Sequence, residues 1–95
     1  MKILDLVLKH KWYDMIDVGD KPEEYREDND YWNNRLIDKE TLRVKPYTHV
    51  RFHRGYTKRT MLFKIDCITK GCGLPKWGAP TGRDVFIIKL WERMT

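Results

Sequence analysis

Gly19-Asp20-Lys21-Pro22-Glu23-Glu24-Tyr25-Arg26 is the stretch of this chain at which one kind of secondary structure gives way to another. Gly19 follows apolar residues that recur at spacings of three and four, and glycine commonly ends a helix in the left-handed conformation. Pro22 has no amide hydrogen and biases the residue before it toward extended backbone. We therefore predict a helix at His10–Val18, a turn at Pro22 and a short strand over residues 23–27.

Three charged side chains of this stretch are expected to converge. Glu24 and Arg26 are two apart, so on a strand they leave the same face, while Tyr25 leaves the other. The ammonium of Lys21 reaches the same face if the turn folds back over it. Such a cluster suits a ligand site, because Lys and Arg bind phosphate or carboxylate, and a carboxylate accepts hydrogen bonds from a base or transfers a proton. The alternative is a surface salt bridge, which contributes at most about 1 kcal/mol to stability.

On both sides of this stretch the apolar residues alternate as they do in strands. Strands are predicted at Ile3–Leu8, Tyr47–Arg54, Arg59–Thr69 and Asp84–Trp91, a second helix at Tyr31–Leu36 with Asp30 as its N-cap, and a glycine- and proline-rich loop at Gly71–Gly82. The alternation predicts that the following residues share one face of their strand: Leu4, Leu6 and Leu8; Val50 and Phe52; Met61, Phe63, Ile65 and Cys67; Phe86, Ile88 and Leu90.

About five short strands with one or two short helices indicate an α+β fold, a small open β-barrel with mixed or antiparallel strands. A chain of 95 residues fits one domain, so residues 1–95 are expected to share a single core.

The net charge of +5 is unevenly distributed along the chain. Residues 1–40 carry seven Lys/Arg against eleven Asp/Glu, a net of −4, while residues 41–95 carry twelve against three, a net of +9. Such asymmetry predicts one strongly positive face that attracts phosphate-bearing partners. The alternative is a charge excess that only keeps the protein in solution.

The basic second part also contains interleaved aromatic residues. Cations bind phosphates, and aromatic rings stack on unpaired bases, so this mixture predicts a surface for RNA or a nucleotide. The nucleic-acid-binding candidates are Arg43, Lys45, Tyr47, Arg51, His53, Arg54, Tyr56, Lys58 and Arg59.

Two tryptophans are further ligand-binding candidates. Trp77 lies in the glycine- and proline-rich loop, and Trp32 follows the charged stretch. A loop tryptophan either covers a ligand or plugs the side of a small barrel.

The run Gly19-x-Lys21-x-x-Glu24-x-Arg26, placed between a helix and a strand, resembles the Gly-x-Lys-x-x-Glu-x-Arg signature of ASCH domains, and the order of the strands is also similar to small members of that family. The resemblance implies a PUA-like barrel with an RNA-binding cleft beside Lys21, Glu24 and Arg26. Some bacterial members hydrolyse the amide of N4-acetylcytidine with the signature Lys, a Thr and a later Glu. Here Glu24 occupies the position of the Thr, and Asp66 could stand for the later Glu.

Three functions are therefore open at this point. The first is an RNA- or nucleotide-binding module with Lys21, Glu24, Arg26, Trp32 and Trp77 at the ligand. The second is a small hydrolase, either an amidohydrolase or a ribonuclease, with Lys21 as base and Glu24 or Asp66 as proton carrier. The third is an adaptor whose basic face binds an acidic protein.

Other classes of protein are not indicated. No apolar run approaches the roughly 18 to 20 residues of a membrane span, and the first residues lack a cleavage site for secretion. Two cysteines are too few for a disulfide framework, so a reducing, cytoplasmic location is expected. On a strand, His49 and His53 would stand roughly 13 Å apart, which does not suit a shared metal. We expect no metal, cofactor or membrane partner.

Overall fold

In the computed structural model, which describes residues 1–95, five strands form one mixed sheet that curls into a half-barrel with two short helices. The elements in chain order are β1 (Ile3–Leu8), α1 (His10–Asp17), β2 (Glu23–Glu27), α2 (Asp30–Leu36), β3 (His49–Arg54), β4 (Thr60–Gly71) and β5 (Val85–Arg93), with a 3-10 turn at Pro75–Trp77. Neither helix has the length and apolar character that crossing a bilayer requires. The predicted α+β fold with a small, open, barrel-like sheet is confirmed.

The strands lie in the order β1-β3-β4-β5-β2. β1 pairs with β3 in parallel, and the other three pairs are antiparallel. β1 and β2 are therefore the two free edges of the half-barrel, so residues near both edges lie at its open side.

The core fills the concave side of the sheet, and the predicted alternation accounts for most of it. Helix α1 contributes Tyr13 and Ile16, and α2 contributes Leu36. The strands contribute Leu4, Leu6, Leu8, Val50, Phe52, Met61, Phe63, Phe86 and Ile88.

The prediction for β4 is wrong beyond its midpoint. The pairing with β5 shifts register between Phe63 and Ile65 and again between Ile65 and Cys67. A bulge inserts an extra residue and thereby changes which residues face the core. Cys67 consequently pairs with the exposed Lys89, while Ile68, predicted on the face opposite to Ile65, packs against the core as Ile65 does.

The start of α2 also differs from the prediction. The residue that caps the helix is Asn29, whose side chain accepts a hydrogen bond from the Trp32 amide at 2.9 Å, and Asp30 is already helical. Asn and Asp are both favoured at the N-cap, so residue type alone does not decide between Asn29 and Asp30.

Candidate functional site

The turn that leads into the site follows from the end of α1. The amide of Gly19 donates to the carbonyl of Ile16 at 3.1 Å, and the amide of Asp20 donates to that of Met15 at 2.9 Å. These two bonds are those of a Schellman motif, and the φ of +86° at Gly19 suits glycine. The helix therefore ends at Asp17, one residue before the predicted end, and the glycine turn brings Lys21 back toward it.

Glu24 and Arg26 extend from β2 toward the concave side of the half-barrel. They pair with Ile88 and Phe86 of β5, whose side chains belong to the core, and opposite residues of antiparallel strands share a face. Tyr25, which lies between them on β2, pairs with Ile87. The predicted common face of Glu24 and Arg26 is confirmed.

Lys21, Glu24 and Arg26 form one hydrogen-bonded network. Lys21 Nζ donates to Glu24 Oε1 at 2.5 Å and to the carbonyl of Glu23 at 2.6 Å. Arg26 Nη2 donates to Glu24 Oε2 at 3.2 Å. Lys21 is only 1% exposed and the Glu24 side chain 8%, so the surface salt bridge considered as an alternative is in fact a buried pair.

Aromatic rings surround the Lys21 ammonium. Nζ lies 5.7 Å from the centroid of the Trp12 ring and 5.0 Å from that of Tyr25. Burial lowers the pKa of Lys21, and the Glu24 carboxylate opposes that change. Burial also raises the pKa of Tyr25 to about 12, so its hydroxyl stays protonated at neutral pH. Because the Lys21 side chain is buried, its contact with the cleft is indirect, through the hydrogen bond to the Glu24 carboxylate.

Arg26 also bridges the two free edges of the sheet. Its Nη2 donates to the carbonyl of Val7 on β1 at 3.1 Å. Arg35 of α2 donates to the neighbouring edge carbonyl of Asp5 at 2.8 Å. Trp32 lies between the two guanidinium groups, 5.0 Å from that of Arg26 and 5.4 Å from that of Arg35. The three side chains cover the β1 edge.

A cleft of about 300 Å³ opens above Glu24 and Arg26. Trp12 and Trp77 both contribute to its walls, and Lys9 lies at its rim. Lys11 lies over the Trp12 ring at 4.7 Å and Lys76 over the Trp77 ring at 4.9 Å. None of these three lysines has an ion-pair partner. The Lys and Arg side chains that do pair with an acid are Lys21, Arg26, Arg51, Arg54, Arg59, Lys64, Lys70 and Arg93.

The loop between β4 and β5 forms one wall of this cleft and is anchored at two points. The amide of Leu74 donates to the Tyr25 hydroxyl at 3.0 Å. Gly78, with φ of +102°, lies so close to α1 that a Cβ there would meet the Trp12 ring at 2.9 Å. A second depression of about 240 Å³ shares Tyr25, Arg26 and Gly78 with the cleft and leads to Arg83.

The structure brings together only part of the predicted site. Glu24, Arg26 and Trp77 line the cleft, and Lys21 lies beneath it. Trp32 lies outside it, and Asp66 is exposed on β4, away from the lining. Trp12 lines the cleft but was not among the predicted site residues; it lies on α1 beside the buried Tyr13 and Ile16.

Acids from the first part of the chain neutralise many of the predicted nucleic-acid-binding cations. These ion pairs interrupt the single positive face that the uneven charge distribution predicts. The pairs are Arg51 and His53 with Asp5, Arg54 with Asp14, and Arg59 with Asp17.

The other candidates in that run lie in two places. Lys45 donates to the carbonyl of Asn34, the Tyr47 hydroxyl donates to that of Arg35, and Arg43 is exposed in the preceding connection. Tyr56 and Lys58 lie on the β3–β4 turn. Tyr56 is 98% exposed.

That turn adjoins the cleft. The amide of Gly55 donates to the carbonyl of Leu8 at 2.8 Å, and Leu8 is part of the cleft lining. The turn that carries Tyr56 and Lys58 therefore lies next to the end of β1, beside this part of the cleft.

No group of three or more His, Cys, Asp or Glu side chains is arranged to hold a metal ion. Comparisons with protein-family models, with curated proteins and with solved structures found no match to this chain.

Proposed function

We propose that the protein binds single-stranded RNA or a nucleotide, with one base in the cleft between Trp12 and Trp77. The observation that carries this proposal is the combination, in one cleft, of two tryptophan rings with a buried carboxylate and guanidinium at the floor. Aromatic rings bind the face of a base, while Glu24 and Arg26 are placed to meet its edge.

Cations without an acidic partner surround this cleft and are suited to phosphates. Lys9 lies at the rim, and the ammonium groups of Lys11 and Lys76 lie over the rings of the two cleft tryptophans. The exposed Tyr56 on the adjoining turn and Arg83 in the second depression would meet flanking nucleotides. This distribution favours an RNA strand that runs across the cleft from the β3–β4 turn toward Arg83.

Burial of Lys21 favours binding over hydrolysis. A general base must come within hydrogen-bonding reach of the substrate, whereas the Lys21 side chain is fully buried and donates to Glu23 and Glu24. Asp66, the other candidate proton carrier, lies outside the cleft lining. Incubating the protein with N4-acetylcytidine and with RNA tests the hydrolase hypothesis, and product formation that is lost in Lys21→Ala would support it.

Membership of the ASCH family is proposed on the same residues. The helix, the turn after Gly19 and the strand with Glu24 and Arg26 succeed one another as the resemblance implies, and a cleft lies beside them. This chain differs from the hydrolytic members at Glu24, where those members have a Thr. A carboxylate at this position is compatible with ligand binding.

Titration of labelled single-stranded RNA at two ionic strengths tests the proposed function. Affinity should fall as salt rises, because phosphate contacts release counterions. Trp77→Ala should weaken binding by about 1 to 3 kcal/mol, the contribution of one base stacked on an aromatic ring. Trp91→Ala is the matched control, since Trp91 is 71% exposed on β5 and outside the cleft lining. Absence of binding at low salt would reject the RNA hypothesis, and capture of an acidic protein instead would favour the adaptor.

A further inference from the structure

The floor of the cleft has a defined pattern of hydrogen-bonding groups. Each oxygen of the Glu24 carboxylate accepts one hydrogen bond from the protein, Oε1 from Lys21 and Oε2 from Arg26. A carboxylate is an acceptor only and offers about four lone-pair sites, so about two remain for a ligand. The network leaves Glu24 able to accept further hydrogen bonds.

Arg26 supplies donors beside that carboxylate. Of its terminal nitrogens only Nη2 donates to protein atoms, and Nε is buried without a partner. Guanidinium has five N–H donors and no acceptor. Nη2 already uses both of its hydrogens, for the carbonyl of Val7 and, at 3.2 Å, for Glu24 Oε2, so the donors that remain for a ligand are those of Nη1 on the same guanidinium. The floor therefore presents two acceptors followed by a donor.

From this pattern we infer that the cleft prefers guanine, recognised along its Watson–Crick edge by Glu24 and Arg26; the inference rests on the proposed nucleotide-binding function. Guanine presents two adjacent N–H donors, at N1 and the 2-amino group, followed by the O6 acceptor. Each of these groups meets its complement on the floor. The paired hydrogen bonds to a carboxylate are charge-assisted, and bidentate contacts of this kind discriminate strongly between bases.

The other bases do not match the floor. Adenine and cytosine present one amino group beside a ring acceptor, and uracil presents one N–H between two acceptors. In each case an acceptor would face a Glu24 oxygen, which leaves both groups unpaired in a largely buried position. The tryptophan rings bind any base, so they contribute affinity while Glu24 and Arg26 contribute selectivity.

Lys21 is a positioning residue in this scheme. It lies behind Glu24, is fully buried and bonds the carboxylate at 2.5 Å. It thereby fixes the orientation of Glu24 without touching the ligand.

The test is a titration of the wild-type protein with GMP, IMP, AMP, CMP and UMP, in which tryptophan fluorescence reports binding. GMP should bind about tenfold more tightly or better than AMP, CMP and UMP. IMP, which lacks the 2-amino donor, should lie between. These wild-type measurements need no variant, so they test the inference even if substitutions impair folding.

Glu24→Gln should remove the preference, because an amide presents one acceptor and one donor in place of two acceptors. Glu40→Gln, a change of the same kind at an exposed position outside the cleft, should leave it intact. If GMP binds no more tightly than the other nucleotides, the guanine inference is overturned while nucleotide binding stands. If neither a nucleotide nor RNA binds at low salt, the proposed function fails and the inference fails with it.

Discussion

Replacing Lys21 by methionine removes the buried positive charge while keeping most of the aliphatic stem. In the wild type, Lys21 Nζ donates to Glu24 Oε1 and to the carbonyl of Glu23. The variant leaves the Glu24 carboxylate, whose side chain is 8% exposed, with Arg26 as its remaining ionic partner. Lys21→Met should therefore destabilise the fold substantially.

The expected loss of unfolding free energy follows from the burial of the Lys21–Glu24 pair. Removing one partner of a buried salt bridge costs about 3 to 5 kcal/mol, because the other charge stays buried without compensation. Since Glu24 retains its 3.2 Å contact with Arg26, the lower end applies, and we expect a loss of about 3 kcal/mol. For a domain of this size that loss corresponds to a Tm decrease of roughly 12 to 24 °C.

Urea unfolding followed by tryptophan fluorescence measures this loss. Lys39→Met, at an exposed lysine without an ion pair, is the matched control and should stay within about 0.5 kcal/mol of wild type. Adding Glu24→Leu to Lys21→Met should not restore the stability, because it leaves the part-buried Arg26 guanidinium without its only acidic partner. A Lys21→Met protein within about 1 kcal/mol of wild type would contradict the proposed structural role of the pair.

Three further predictions concern the cleft loop, a helix cap and the response to acid. Gly78→Ala should cost more than about 1 kcal/mol in urea unfolding, because a Cβ there would meet an indole ring as well as strain the backbone; Gly82→Ala, with a φ of +76° and open space around it, should cost less, and equal losses would contradict the contact. Asn29→Ala should lower stability by about 1 kcal/mol in thermal unfolding through loss of the helix cap, and an unchanged Tm would argue against that contribution. The side-chain hydrogen bonds from Arg54 hold the pKa of Asp14 below its ordinary value, so the stability from this pair is present above about pH 4 and is lost as pH falls through the lowered pKa. Arg54→Gln should therefore make the acid-induced fall in the urea midpoint shallower, and an unchanged pH dependence would count against the pairing.

Local sequence patterns were sufficient to predict most of the secondary structure. The strand at residues 23–27 has the bounds that Pro22 and the alternation predict, and α1 ends at the glycine that suits a left-handed residue. The β4 bulge was not predictable, because the alternation of Ile65, Cys67 and Ile68 gives no sign of the two register shifts against β5.

The candidate site was harder to predict because its properties depend on contacts between distant segments. Sequence spacing placed Glu24 and Arg26 on one face, but the burial of Lys21 depends on contacts with Trp12 of α1 and Tyr25 of β2. The uneven charge along the chain predicted a positive face, whereas the fold places Asp14 beside Arg54, forty residues away. Neutralisation of this kind cannot be predicted from charge totals.

The most direct test of the proposed function uses the indole N–H signals of the four tryptophans in an NMR titration with short single-stranded RNA at low salt. Binding in the cleft should shift the signals of Trp12 and Trp77, which line it, and leave that of Trp91 in place. Unchanged cleft signals at RNA concentrations that saturate binding, or a shift confined to Trp91, would contradict recognition of a base in this cleft.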